Sequence, residues 1–174
     1  MAQKQIDFDR LVAMTDYKPS HIVSGIYQGS DPPVGAALRA AGVNALVLVA
    51  MERQHDPTFF PGVEVMLAPG DDVDNNFIDK AQLKAWHDAA KWAAIQALSG
   101  KVVLITCQMG WNRSALVTAL AVRYLTGWSG DQSVSVVKMR RPQAFKTNKT
   151  YERYVRSLPT RGQPLVPSGL RGGR

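Results

Sequence analysis

The stretch from Lys101 to Thr126, KVVLITCQMGWNRSALVTALAVRYLT, constrains the fold more than any other part of the chain. Val102 to Ile105 is a short β-branched apolar run, which predicts a strand buried on both faces. Cys107 to Asn112 contains Gly110 and breaks both periodicities, so it is a loop. From Arg113 the chain is rich in Ala, Leu and Val, with Leu116, Leu120 and Ala121 on one helical face. A strand running through a tight loop into a helix N-terminus cradles anions. The loop N–H groups converge there, and the helix dipole adds positive potential.

Two side chains make that cradle a candidate reaction centre. Cys107 opens the loop and Arg113 closes it, with five residues between them. The helix N-terminus and the guanidinium both favour thiolate over thiol. Arg113 presents a planar fork that matches two phosphate oxygens. A nucleophile beneath a phosphate held by N–H groups and one Arg suits phosphoryl transfer. The plain alternative is an inert, buried Cys in a Rossmann-like turn.

CQMGWNRS resembles the Cys-x5-Arg-Ser/Thr signature of the cysteine-dependent protein phosphatases, the dual-specificity branch in particular. The resemblance implies that Cys107 is the nucleophile forming a cysteinyl-phosphate and that Arg113 binds the phosphate. Gln108, Met109, Gly110, Trp111 and Asn112 would supply the rest of the cradle. Ser114 would hydrogen-bond the sulfur and help it leave in the second step. One departure stands out: that family usually has His before the Cys, and this chain has Thr106. The Thr106 hydroxyl is expected to donate one hydrogen bond to the loop and to leave a tuned-down nucleophile.

The flanking chain supports an α/β reading. Ile22 to Gln28 suits a strand, and IVSGIYQGSDPPVGAALRAAGVNALVLVA resembles the opening of the dual-specificity phosphatases, where a strand ends in Tyr-x-Gly-Ser. Asp31 and Pro32 are placed to start a helix that Gly42 ends. Ala45 to Ala50 and Val63 to Leu67 read as strands, with a polar surface loop between them. Phe77 to Leu98 carries Ile78, Trp86, Ala89, Ala90, Ala93 and Ala97 at helical spacing, so Trp86 and Trp92 are packing residues. A further helix runs through Ser135 to Met139 and ends at Arg140-Arg141-Pro142, and a last one spans Lys149 to Arg156 after Asn148. These two elements also resemble the family's closing segment.

The leaving oxygen of a phosphate monoester needs a proton. The family takes it from an Asp on a loop upstream of the long helix, and Asp71, Asp72 and Asp74 all lie there. Counted back from Phe77, the spacing fits Asp71 best. Helix capping is the alternative use for these carboxylates. DDVDNN lacks the Gly and Glu of a calcium loop, and His21, His55 and His87 have no ligand spacing, so neither a metal nor a cofactor is implied. His87 reads as surface or packing.

At 174 residues the chain is long enough for one full core, and its single cysteine permits no internal disulfide. The longest apolar run, Ala45 to Met51, is far short of a membrane span, and MAQKQIDFDR has no signal-peptide core. A cytoplasmic monomer with no membrane association is expected. The net charge of +7 is uneven: ten Lys or Arg and one acid, Glu152, lie from Lys138 onward. That basic third suggests polyanionic partners, or else a solvated helix face.

The expected architecture is a single α/β domain over 1–158 with a four- or five-stranded, mostly parallel sheet flanked by helices. A flexible basic tail over 159–174 is expected beyond it. The expected activity is hydrolysis of phosphate monoesters in phosphorylated proteins or peptides, with phosphotyrosine foremost. Asn112 preceded by an aromatic also resembles the loop of RNA 5′-triphosphatases, which makes RNA 5′ ends a second candidate substrate. A pseudophosphatase that binds phosphorylated partners is a third reading, supported only by Thr106. Trp111 is placed either to stack on a substrate ring or to pack beneath a neighbouring loop.

Overall fold

The computed structural model describes residues 4–165. Helix α1 spans Phe8–Thr15 and precedes an antiparallel pair, β1 (Ser20–Val23) and β2 (Ile26–Gly29). Then come α2 (Ala37–Ala40), β3 (Ala45–Leu48), two single helical turns at Met51–Arg53 and Pro57–Phe59, and β4 (Glu64–Leu67). Helix α3 (Lys80–Leu98) leads into β5 (Val103–Thr106), followed by α4 (Arg113–Thr126), α5 (Gly130–Arg140) and α6 (Lys149–Arg156). The five strands are ordered β1-β2-β5-β3-β4, and every pairing except β1–β2 is parallel.

β5 is the middle strand, and all four of its residues are fully buried. The alternation of its side chains sorts the core. Val103 and Ile105 face one cluster with Trp86, Ala89, Leu116 and Leu120, beneath α3, α4, α5 and α6. Leu104 faces a smaller cluster with Leu11, Tyr27, Leu38 and Phe60, beneath α1 and α2. Continuous apolar strands are what a sheet covered on both faces requires. Helix α4 is buried along nearly its whole length, because α3, α5 and α6 surround it on the sheet. Trp86 is fully buried, its indole N–H donates to the Ala68 carbonyl at 2.9 Å, and its ring meets Tyr151 edge-on at 5.3 Å. Burying a side chain of this size stabilises the fold by about 2–3 kcal/mol.

Local chemistry shifts several expected boundaries. The single strand expected over Ile22 to Gln28 is a hairpin, because Ser24 and Gly25 turn the chain with φ of 32° and 77°. α2 begins at Ala37, not at Asp31, whose backbone N–H donates instead to the Gln108 carbonyl at 3.0 Å. α3 begins at Lys80, because Asp79 caps it by accepting from the Gln82 N–H at 2.9 Å. Phe77 therefore precedes the helix and is exposed.

The start of the expected flexible tail lies against α4. Arg123 donates to the Pro159 carbonyl, the Leu165 N–H donates to the Tyr124 carbonyl at 2.8 Å, and Arg161 stacks over the Tyr124 ring at 4.6 Å. Residues 166–174 of that tail lie outside the described residues.

Candidate active site

β5 ends at Thr106, and its flanking strands run parallel to it, so the loop from Cys107 to Asn112 opens above the carboxyl ends of three strands. This is where an open parallel sheet presents ligands. Gly110 has φ of 68°, and a Cβ there would lie 2.6 Å from the Gly29 carbonyl, so only glycine lets the loop pass over β2. The loop is tied down from behind. The Gly110 carbonyl accepts from Arg141 Nε at 2.7 Å and from Gln28 Nε2 at 3.0 Å, and the Trp111 carbonyl accepts from the Phe145 N–H at 2.8 Å. Among the described residues, the N–H groups of Gln108 to Asn112 have no protein acceptor.

Cys107 is nearly fully buried, with Sγ 3.2 Å from Ser114 Oγ. The Arg113 side chain is also buried. Its Nη1 pairs with Glu52 at 2.5 Å and donates to the Gly70 carbonyl at 3.0 Å, while its buried Nε has no partner. Burial pushes the Glu52 carboxyl up, but its bond with Arg113 outweighs this and holds it below the usual range. A buried guanidinium edge without an acceptor, beside unpaired loop N–H groups, has the donor set of an oxyanion site.

The acidic loop divides its three carboxylates. Asp72 lines a cavity of about 200 Å³ together with Cys107, Gln108, Met109, Trp111, Asn112, Arg113 and Thr147. Its Oδ2 accepts from Asn112 Nδ2 at 3.0 Å and its Oδ1 from Asn148 Nδ2 at 2.8 Å. Asp71, the residue favoured by spacing, is exposed and lines the neighbouring clefts with Glu52 and Gln82. Its backbone is clamped by the Gln82 side-chain amide and by the Tyr151 hydroxyl. Asp74 anchors the start of α6, accepting from the Thr150 N–H and hydroxyl; the hydroxyl bond foremost lowers its pKa. The capping alternative thus holds for Asp74, but on α6 and not on α3.

Asn112 carries no helix-capping bond. Its Nδ2 donates to Asp72 and to Thr147 Oγ1, and its Oδ1 accepts from the Thr147 and Asn148 N–H groups. Trp111 lines the mouth, and Lys146 Nζ stands 4.3 Å over its ring. Thr106 is fully buried; its hydroxyl donates to the Val47 carbonyl at 3.1 Å and accepts from Gln54 Nε2 at 2.9 Å. It therefore does not donate to the loop, contrary to expectation. His87 bridges two tyrosine hydroxyls, Tyr124 at 2.8 Å and Tyr154 at 2.7 Å, so its packing role stands.

Sequence reasoning missed Glu52, Gln54 and Gln28. The first two lie in a segment read as polar surface loop, and Gln28 fills the variable place of Tyr-x-Gly-Ser. A glutamine in the last half of a buried strand was the one available signal.

A small cavity with a buried thiol lies at the carboxyl end of this mostly parallel sheet. The fold is that of the dual-specificity protein phosphatases, and the chain's similarities fall in that branch of the cysteine-based phosphatases. The chain is 29% identical over 151 residues to the protein phosphatase Slingshot of Drosophila melanogaster; that match takes in 84% of this chain but 14% of Slingshot. Human DUSP28 superposes with a TM-score of 0.61 at 24% identity, covering 80% of this chain and 95% of that one. Tk-PTP in its active form superposes with a TM-score of 0.64 at 21% identity, covering 79% and 95%. No family model matches the chain.

Proposed function

We propose that this chain hydrolyses phosphate monoesters through a cysteinyl-phosphate, acting on phosphotyrosine, and on phosphoserine or phosphothreonine, in proteins. The carrying observation is that Cys107, the Arg113 guanidinium and Asp72 line one small cavity. In the first step the Cys107 thiolate attacks phosphorus, an S–P bond forms and the ester P–O bond breaks. The departing oxygen takes its proton from a carboxyl group, for which we propose Asp72 in place of Asp71, because Asp72 shares the cavity with Cys107. In the second step water attacks phosphorus, its proton goes to the same carboxylate, and the S–P electron pair returns to Cys107. Arg113 and the loop N–H groups hold the charge that develops on the phosphoryl oxygens.

Phosphorylated protein is favoured over RNA 5′ ends by the use made of Asn112. All its hydrogen-bonding capacity goes to Asp72, Thr147 and Asn148, so none remains to read a nucleotide. Intact Cys107, Arg113 and Ser114 favour turnover over mere phosphate binding. Cys107→Ser is expected to abolish turnover of a phosphotyrosine peptide and retain competitive binding of inorganic phosphate, because the cradle binds and only the thiolate attacks. Faster release of phosphate from triphosphate-ended RNA than from the phosphotyrosine peptide would reverse the substrate assignment. Substantial turnover by the Ser variant would remove the covalent mechanism.

A further inference from the structure

Gln28 occupies the last half of β2, opposite Ile105 of β5, and is fully buried beneath the phosphate loop. Nothing about a parallel strand calls for an amide here. Its Nε2 lies 3.0 Å from the Gly110 carbonyl and 3.3 Å from Ser114 Oγ. The Gly110 carbonyl can only accept, so the group facing it is the NH₂; the flipped amide would set two oxygens against each other. Its second hydrogen therefore points at Ser114 Oγ. Gln28 Oε1 is left buried with no partner, so the side chain is retained although an apolar residue would bury more cheaply.

We infer that Gln28 is a positioning residue for the nucleophile: by donating to Ser114 Oγ it directs the Ser114 hydroxyl proton at Cys107 Sγ. Ser114 has one proton to give. In the thiol form the Cys107 S–H donates to Ser114 Oγ at 3.2 Å; with the sulfur ionised and Oγ accepting from Gln28, the sulfur becomes the acceptor for the Ser114 proton. When sulfur is the thiolate, every proton along Gln28 Nε2, Ser114 Oγ and Cys107 Sγ has an acceptor. When sulfur is the thiol and its S–H donates to Oγ, the Ser114 hydroxyl proton is stranded. The arrangement thus favours thiolate, both before attack and as sulfur leaves phosphorus. The residue preceding Cys107 cannot do this, because the Thr106 hydroxyl is held by Val47 and Gln54 on the β3 side. Support for the loop comes instead from β2.

The inference rests on the cysteinyl-phosphate reading for its kinetic consequence, but its thiolate consequence can be measured without turnover. The test compares Gln28→Leu with the parent chain by iodoacetamide alkylation against pH, by burst kinetics with p-nitrophenyl phosphate, and by inhibition with inorganic phosphate. The expected alkylation midpoint rises by roughly half to one pH unit, the effect of losing the neutral Gln28–Ser114 bond that orients the Ser114 hydroxyl. Hydrolysis of the cysteinyl-phosphate slows about threefold to tenfold. p-Nitrophenol then appears in a burst, while phosphate inhibition weakens less than cysteinyl-phosphate hydrolysis slows, because Arg141 still holds the Gly110 carbonyl that Gln28 releases. In a Ser114→Ala background Gln28→Leu adds only the smaller effect of its lost Gly110 bond, since toward the sulfur the two residues act in series. A folded Gln28→Leu protein with an unchanged midpoint overturns the inference, as does a full additional effect on top of Ser114→Ala. Gln28→Met, unbranched and similar in length, answers the same question if the leucine variant does not fold. Should the parent chain fail to turn over p-nitrophenyl phosphate, the proposed function falls, yet the alkylation comparison still decides the role of Gln28.

Discussion

Replacing Asp72 by Asn separates proton donation from loop anchoring, because the two roles leave different signatures. In the proposed role of general acid, Asp72 would supply the proton to the leaving oxygen, a contribution of about 10²- to 10⁴-fold, or ~2.7–5.5 kcal/mol of barrier. The same carboxylate accepts from Asn112 and from Asn148. In Asp72→Asn one of those amides faces an NH₂ in place of an oxygen, so a buried donor loses its acceptor. That costs the fold about 1–3 kcal/mol. A protein of this size then melts roughly 2–12 °C lower, at about 2–4 °C per kcal/mol.

The two effects part company when the leaving group is varied. A loosened loop lowers kcat by one factor for every substrate. A missing acid lowers it strongly for phenyl and alkyl phosphates and only slightly for p-nitrophenyl phosphate, whose leaving group needs little protonation. We expect the kcat loss in Asp72→Asn to be at least about tenfold larger for phenyl phosphate than for p-nitrophenyl phosphate. Asp71→Asn should stay within ~0.5 kcal/mol of the parent in stability, because its carboxylate is exposed and its loop contacts run through its backbone. Its kcat should change little for either substrate. A leaving-group-dependent loss in Asp71→Asn and a uniform one in Asp72→Asn would refute the assignment and return the role to the residue that spacing favours.

Two expectations concern stability and pH. Glu152 is largely covered and holds Lys138, Lys149 and Arg156; burial raises its pKa, but these three bonds outweigh that and bring it down to about 2. Its contribution is therefore complete above the unfolded value of about 4.5 and is lost as pH falls toward 2. Glu152→Gln should destabilise by about 1–2 kcal/mol at pH 7, discounted for half-exposed partners, and by much less at pH 3, measured by urea unfolding at both values. An equal loss at both pH values would contradict the charge argument. Burial, then Lys91 and Arg123, lowers the pKa of His87, with Asp88 opposing. The unfolded chain thus binds the extra proton first, and stability should fall as pH drops below about 6.5. His87→Gln should flatten that slope in thermal melts between pH 7.5 and 5.5, and an unchanged slope would assign it to other groups.

The element most legible in the sequence was also the most local. β5, the loop and α4 are contiguous, and their apolar patterning, Gly110 and helix start all lie within one stretch. Cys107, Ser114 and Arg113 follow from that continuity. What escaped was set by distant partners. Nothing near Asp71 and Asp72 says which one turns to the loop. The choice is made by Gln82 and Tyr151 holding the Asp71 backbone, and by Asn112 and Asn148 taking the Asp72 oxygens across 40 and 76 residues. The count back from Phe77 starts outside the helix, since Asp79 and not Phe77 sets the start of α3. The hairpin between β1 and β2 was hidden because apolar alternation continues through the turn, with Ser24 adopting a positive φ that its identity does not advertise.

Part of the basic C-terminal third has its acceptors inside the fold. A polyanion-binding face needs cations whose acceptors come from the ligand. Here Lys138, Lys149 and Arg156 converge on Glu152, and Arg156 also meets Asp131. Arg141 braces the Gly110 carbonyl, and Arg153 reaches Asn76 on the acidic loop. The same segment supplies Asn148 to Asp72, Tyr151 to the Asp71 carbonyl, and the start of α6 to Asp74. Part of the same segment also braces the acidic loop near Cys107. Its ion pairs and hydrogen bonds fix where Asp72 stands relative to Arg113. Within the small cavity, the groups left without a protein acceptor are the buried Arg113 Nε and, among the described residues, the loop N–H groups of Gln108 to Asn112.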